Sequence, residues 1–133
     1  MALVDQDGKH VETIKLSETQ HDVWLWLDEC PRESIGFAVI EKVHSSPQMG
    51  VVSAFSFGKS FGFCEAVLVA AGVRYELATP QKWMKAMGCM TGGDKKISKA
   101  RAQALFPDVK VTHAIADALL IAEYARRTRK ALG

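Results

Sequence analysis

Residues 37–44 read Phe-Ala-Val-Ile-Glu-Lys-Val-His, an apolar run that stops on a carboxylate. Phe37, Val39 and Ile40 are side chains that a pleated, packed surface favours. So short an apolar run, closed by charge, reads as an inner strand rather than as part of a helix. Glu41 then stands at the carboxyl end of that strand, where sites in α/β sheets usually form. An isolated buried carboxylate is costly, so the strand end calls for a compensating partner.

The segments around it alternate between the two helical and extended patterns. Residues 2–16 read as a hairpin turning at Asp7-Gly8. Ser17 or Thr19 can cap a short amphipathic helix through Val23, Trp24 and Leu27, ending before Pro31. A helix of roughly twenty residues follows the Pro47–Gly50 stretch and closes at Gly72. Residues 73–78 form a further strand, and Pro80 suits the first turn of the next helix. After the Thr91-Gly92-Gly93 break, Asp94 caps a basic helix ending before Pro107. A last helix runs from the region of His113 and is basic at its end, as the macrodipole favours. Strands mixed with helices in 133 residues predict one α/β domain, 1–133, with helices layered on a sheet.

Composition adds bounds. No apolar run approaches about 20 residues, so no membrane span is expected. The first ten residues lack the basic and apolar regions of a secretory signal. Cys30, Cys64 and Cys89 are scattered and odd in number, which predicts free thiols in a reducing, cytoplasmic setting. Net charge is +2, but residues 1–36 carry eight acids against three bases, and the remainder seven acids against fourteen bases. A basic two-thirds is compatible with a polyanionic partner and equally with an ordinary solvated surface.

Asp117 is the second carboxylate in an apolar setting, flanked by Ile115, Ala116, Ala118, Leu119 and Leu120. A pair formed with Glu41 would shift its pKa values or share a cation, and Mg²⁺ is the hard ion such a pair suits. The alternatives stand beside this: a strand-end Glu is commonly solvated, and a helical Asp can face water. His113 lies one helical turn before Asp117 and can be a ligand, a proton carrier, a phosphate contact or only a helix-start residue.

Four blocks in order, Val-Ile-Glu-Lys-Val-His from Val39, Phe-Ser-Phe-Gly-Lys-Ser-Phe-Gly from Phe55, Thr-Pro-Gln-Lys-Trp-Met-Lys-Ala-Met from Thr79 and Ala-Asp-Ala-Leu-Leu-Ile-Ala-Glu-Tyr-Ala-Arg-Arg from Ala116, carry a resemblance. The chain resembles the phage and prophage branch of the RuvC-type Holliday-junction resolvases from about Ala2 to Arg127. The resemblance implies a ribonuclease H-like fold, a mixed sheet flanked by helices. It also implies metal-dependent phosphodiester hydrolysis on branched DNA with two Mg²⁺ ions, or Mn²⁺, in the cytoplasm of a bacterial host. Glu41 matches the glutamate that ends the fourth strand in that family, and Asp117 the last aspartate, on the final helix. A further ligand there lies three or four positions earlier as Asp or His, which makes His113 the candidate beside Ala114.

One departure matters. The family opens on a central strand of the form I-D-P-G-x-x-G-A whose Asp is another ligand, and no such stretch is present. Residues 2–16 align with the second and third strands instead. The expectation is a fold lacking its first central strand, backbone groups left for a neighbour to pair, and a chain that alone is inactive or much weakened.

For DNA contact, Lys82 and Lys85 flank Trp83, while Lys95, Lys96, Lys99 and Arg101 follow the glycine break; His44 lies just past Glu41. Such cations neutralise phosphates without reading sequence. The resemblance further implies a homodimer through the helix that contains Phe55 to Gly72, fitting the two equivalent strands of a four-way junction. Two function classes follow: a structure-selective endonuclease, and a catalytically inactive protein that binds branched DNA or another partner.

Overall fold

The computed structural model describes residues 1–16, 19–31, 35–90 and 92–132. Ser17, one of the two cap candidates, and Thr91 of the glycine break lie outside them. The amino-terminal hairpin joins β1 (Ala2–Val4) to β2 (Val11–Thr13), antiparallel with Leu3 opposite Glu12. Gly8 sits in its turn at φ 74°, a left-handed conformation that costs glycine nothing. Helix α1 (Gln20–Glu29) begins where the Thr19 hydroxyl accepts the Asp22 N–H at 3.1 Å, and it buries Val23 and Leu27.

Strand β3 (Ala38–Glu41) is followed by α2 (Val51–Ala70), which ends just before Gly72 at φ 69°. Strand β4 (Tyr75–Ala78) pairs in parallel with β3, setting Glu41 opposite Ala78. Helix α3 (Pro80–Met87) has Pro80 in its first turn, a Thr79 cap and left-handed Gly88 at its end. Asp94 caps α4 (Lys95–Leu105), accepting the Lys96 N–H at 3.0 Å, and α5 (His113–Leu132) completes the chain.

Strand alternation divides the interior into two cores. Val39 packs with Trp83, Met87, Ala102, Leu119, Leu120 and Tyr124, the layer made by α3, α4 and α5. Its neighbours Ala38 and Ile40 pack on the other side with Leu27, Val67, Leu68 and Val73. A strand residue and the one two along share a face. Glu41 therefore points to the α3–α5 side, with Val39.

Two differences from the sequence reading have physical causes. All four residues of β3 are half-buried rather than buried, because among the described residues the strand pairs only with β4. The described strands make two separate two-stranded sheets, β1 with β2 and β3 with β4, both resting on α5. Helix α2, in turn, is 20 residues long with mean hydropathy 1.3 over an 18-residue window, enough in length and composition to cross a membrane. Ser53, Ser56, Gly58, Lys59 and Ser60 interrupt its apolar runs, which is why no long run marks it. Val67 and Leu68 at its end are buried in the second core. The three cysteines are free, as expected.

Candidate functional site

The site is built where β3 ends against the α3–α5 layer. Glu41 is half-buried, and the indole N–H of Trp83 donates to its Oε2 at 2.7 Å. Trp83 itself is fully buried. The lysines beside it turn outward on a helix while the ring turns in, so a residue flanked by two cations becomes the anchor of the carboxylate. Sequence reasoning missed this role. The available signal was the 3.6-residue spacing that puts Trp83 and Met87 on the inner face of α3.

Asp117 lies in the second turn of α5 and is exposed. Its apolar neighbours in sequence are carried round to the other side of the helix, so no burial cost attaches to it. Burial raises the pKa of the Cys89 thiol, and the negative charge of Asp117 raises it further. The next residue, Ala118, lines the same cavity as Glu41. The elements that carry the two carboxylates, β3 and α5, pack against each other. His113 is the first residue of α5 and is exposed one turn before Asp117. Asp5 lines the cavity too, but its Oδ1 accepts the Lys9 N–H at 2.7 Å within the hairpin turn.

Among the described residues, no group of three or more His, Cys, Asp or Glu side chains is placed to hold a metal ion. Glu41 and Asp117 are two carboxylates, one of them already accepting the indole N–H. A two-ion centre needs more donors than this. The donor set present among the described residues does not fit such a centre.

The basic residues are placed on the same helical layer. Lys82 and Lys85 are exposed on α3, and Lys95 and Lys96 are exposed in the first turn of α4. Cations at a helix start oppose the macrodipole, so helix stability does not account for them. Lys99 is half-buried, and Arg101 spends its Nε on the Met87 carbonyl at 2.9 Å, tying α4 to the end of α3. His44 is exposed in the loop beyond β3.

A second charged cluster lies along α5. Glu123 is buried, and Arg126 grips it through two bonds of 2.6 and 2.7 Å while Arg127 adds one of 2.8 Å. The basic end of α5 is therefore more than a complement to its dipole. The i, i+3 and i, i+4 spacing from Glu123 was the signal for it.

Comparison with solved structures decides the architecture. The Thermus thermophilus RuvC structure superposes with a TM-score of 0.56 at 17% identity, covering 92% of this chain and 77% of that one. The fold is ribonuclease H-like. T. thermophilus RuvC in complex with Holliday junction substrate gives a TM-score of 0.55, also at 17% identity, covering 91% of this chain and 77% of that one. No protein-family model and no curated protein matches the sequence.

Proposed function

We propose that this chain is a branched-DNA-binding protein of the resolvase type, with a metal-dependent cleavage centre that is incomplete when the chain is alone. In this reading Glu41, Asp117 and His113 are what the chain contributes to a Mg²⁺ or Mn²⁺ centre. Lys82, Lys85, Lys95, Lys96, Lys99, Arg101 and His44 contact phosphates of a four-way or otherwise branched DNA in the bacterial cytoplasm. The observation that carries it is the register of β3, which turns Glu41 to the layer that also holds Asp117 and the lysines. The ribonuclease H-like fold supports it, and so does the position of Lys95 and Lys96 against the dipole of α4.

The test compares four-way junction with linear duplex in gel-shift titrations across salt, followed by incubation with Mg²⁺ and Mn²⁺. Expected is tighter binding to the junction, a strong salt dependence, and nicking that is weak or absent. Each of Lys95→Ala, Lys96→Ala and Lys99→Ala should lower the salt slope by about 1. Equal affinity for junction and duplex, with slopes unchanged in the lysine variants, overturns the binding part. Vigorous nicking that vanishes in Glu41→Gln and Asp117→Asn overturns the claim of incompleteness and makes the chain a full endonuclease.

The same proposal includes a homodimer through α2. Val51, Val52, Phe55 and Val69 are 86, 81, 75 and 66% exposed on that helix, an apolar surface that a soluble monomer rarely presents. Gly58 and Gly62 have open space at their Cβ positions, leaving room for a second helix to approach. Sedimentation should show a dimer for the parent chain and a monomer for the Val52→Glu, Phe55→Glu double variant, with far-UV circular dichroism unchanged. A monomeric parent chain removes the dimer from the proposal.

A further inference from the structure

The turn between α3 and α4 carries two large apolar side chains that the core does not use. Met90 is 56% exposed and Ile97 42%. Their immediate neighbours are the opposite: Cys89 and Ser98 are buried, and the Ser98 side chain lies within reach of the Cys89 sulfur. Met90 follows one member of that contact and Ile97 precedes the other, so both leave the protein from the same closure. On a helix the residue before Ser98 is turned about 100° away from it, which puts Ile97 off the inner face that Ser98 and Ala102 occupy.

The closure is held from both ends. Gly88 ends α3 in a left-handed conformation at φ 67°, and the Cys89 N–H donates to the Met84 carbonyl at 2.9 Å. Arg101 donates to the Met87 carbonyl at 2.9 Å from the far side of the turn, and Asp94 caps α4. An apolar pair placed on such a support is ordered before anything binds it, so little conformational freedom is lost on binding.

Single apolar side chains on a surface are ordinary. These two sit in the most one-sided stretch of charge on the helical layer. From Thr79 to Phe106 the chain carries Lys82, Lys85, Lys95, Lys96, Lys99 and Arg101 against one acid, Asp94, and that acid accepts the Lys96 N–H. The surface therefore suits a ligand that offers dense negative charge and a bare apolar face together. A stacked duplex offers the charge but hides its base faces, and an acidic protein surface keeps most apolar area in its own core. DNA whose bases are unstacked at a branch offers both.

We infer that Met90 and Ile97 form an apolar wedge that covers bases unstacked at the branch point of DNA held by the surrounding lysines. This rests on the branched-DNA reading above and adds to it the residues that tell a branch from a duplex. Lysines attract both forms alike, whereas the wedge gains only where stacking is already broken.

The probes are a four-way junction with 2-aminopurine beside the exchange point, a second with the same base in mid-arm, and a linear duplex, each titrated with the full chain. Fluorescence should rise about twofold or more at the exchange point and stay level in the arm. The Met90→Ser, Ile97→Ser double variant should lose that rise and bind the junction about tenfold more weakly. Its duplex affinity and its salt slope should equal those of the parent, since no charge is removed. The Met90→Leu, Ile97→Leu variant should restore both the rise and the affinity. If the parent prefers the junction but shows no rise at the exchange point, or the serine variant keeps the rise and the affinity, the wedge is overturned and the branched-DNA reading stands. An equal loss on duplex, or no rescue by leucine, makes the effect structural and also overturns the wedge. A parent chain that binds junction no more tightly than duplex overturns both. A serine variant unchanged on DNA but weaker than the parent toward a fluorescein-labelled random Glu-Tyr copolymer would assign the pair to an acidic protein, against the proposal.

Discussion

Trp83→Ala is expected to lower the unfolding free energy by about 3–5 kcal/mol, measured by urea denaturation. The ring is fully buried at the centre of the α3–α5 core, so its removal leaves a cavity lined by Met87, Leu119 and Leu120 that helices held by their neighbours cannot collapse. Trp83→Phe separates packing from the polar contact. Phenylalanine keeps most of the apolar bulk but withdraws the N–H from Glu41 Oε2, stranding a half-buried carboxylate oxygen at a cost of about 1–3 kcal/mol. Adding Glu41→Gln to Trp83→Phe should then restore part of that loss. A double-mutant cycle in which the two changes simply add would show that the indole does not hold the carboxylate.

Glu123→Ala should cost about 2–3 kcal/mol near neutral pH. Removing one partner of a buried ion cluster costs about 3–5 kcal/mol when the remaining charge stays buried. Here the Arg126 and Arg127 side chains are 20 and 44% exposed and can turn partly to water, which sets the lower figure. The pH dependence follows from the same contacts. Burial alone would raise the Glu123 carboxyl, but the hydrogen bonds and charges of Arg126 and Arg127 outweigh it and hold the group below the usual range. A carboxylate depressed in the folded state contributes its full stability above its unfolded value, about 4.3. That contribution is lost as pH falls through the lower folded value. The parent chain should therefore lose stability more steeply than Glu123→Gln below about pH 4.3, and the gap between them should narrow. Parallel stability curves for the two proteins would contradict the ion cluster.

Much of this was visible in the order of residues. The hairpin at Gly8, the Thr19 and Asp94 caps, Pro80 in a first helical turn and the closing Gly72 are local chemistry, and local chemistry can be read along a line. The positions of Glu41 and Asp117 followed in part. Strand parity was available for Glu41, whereas the apolar flanks of Asp117 suggested burial that the helix turn undoes. What the order of residues did not disclose depends on distance in sequence. The Trp83–Glu41 bond spans 42 positions. Among the described residues β1 and β3 belong to separate sheets, and it is α5, far along the chain, that both rest on. The Glu123 cluster was legible by spacing alone, yet runs of arginine at a helix end have a simpler explanation that conceals it.

The alternation of side chains along β3 makes the length of that strand more restrictive than its content. Inserting or deleting one residue between Ala38 and Glu41 would send the carboxylate to the α1–α2 face, away from Trp83, and bring a neighbouring side chain round in its place. Exchanging Val39 for isoleucine leaves that geometry alone. Variation along β3 should therefore take the form of substitution, with changes in chain length displaced into the loop between β3 and α2.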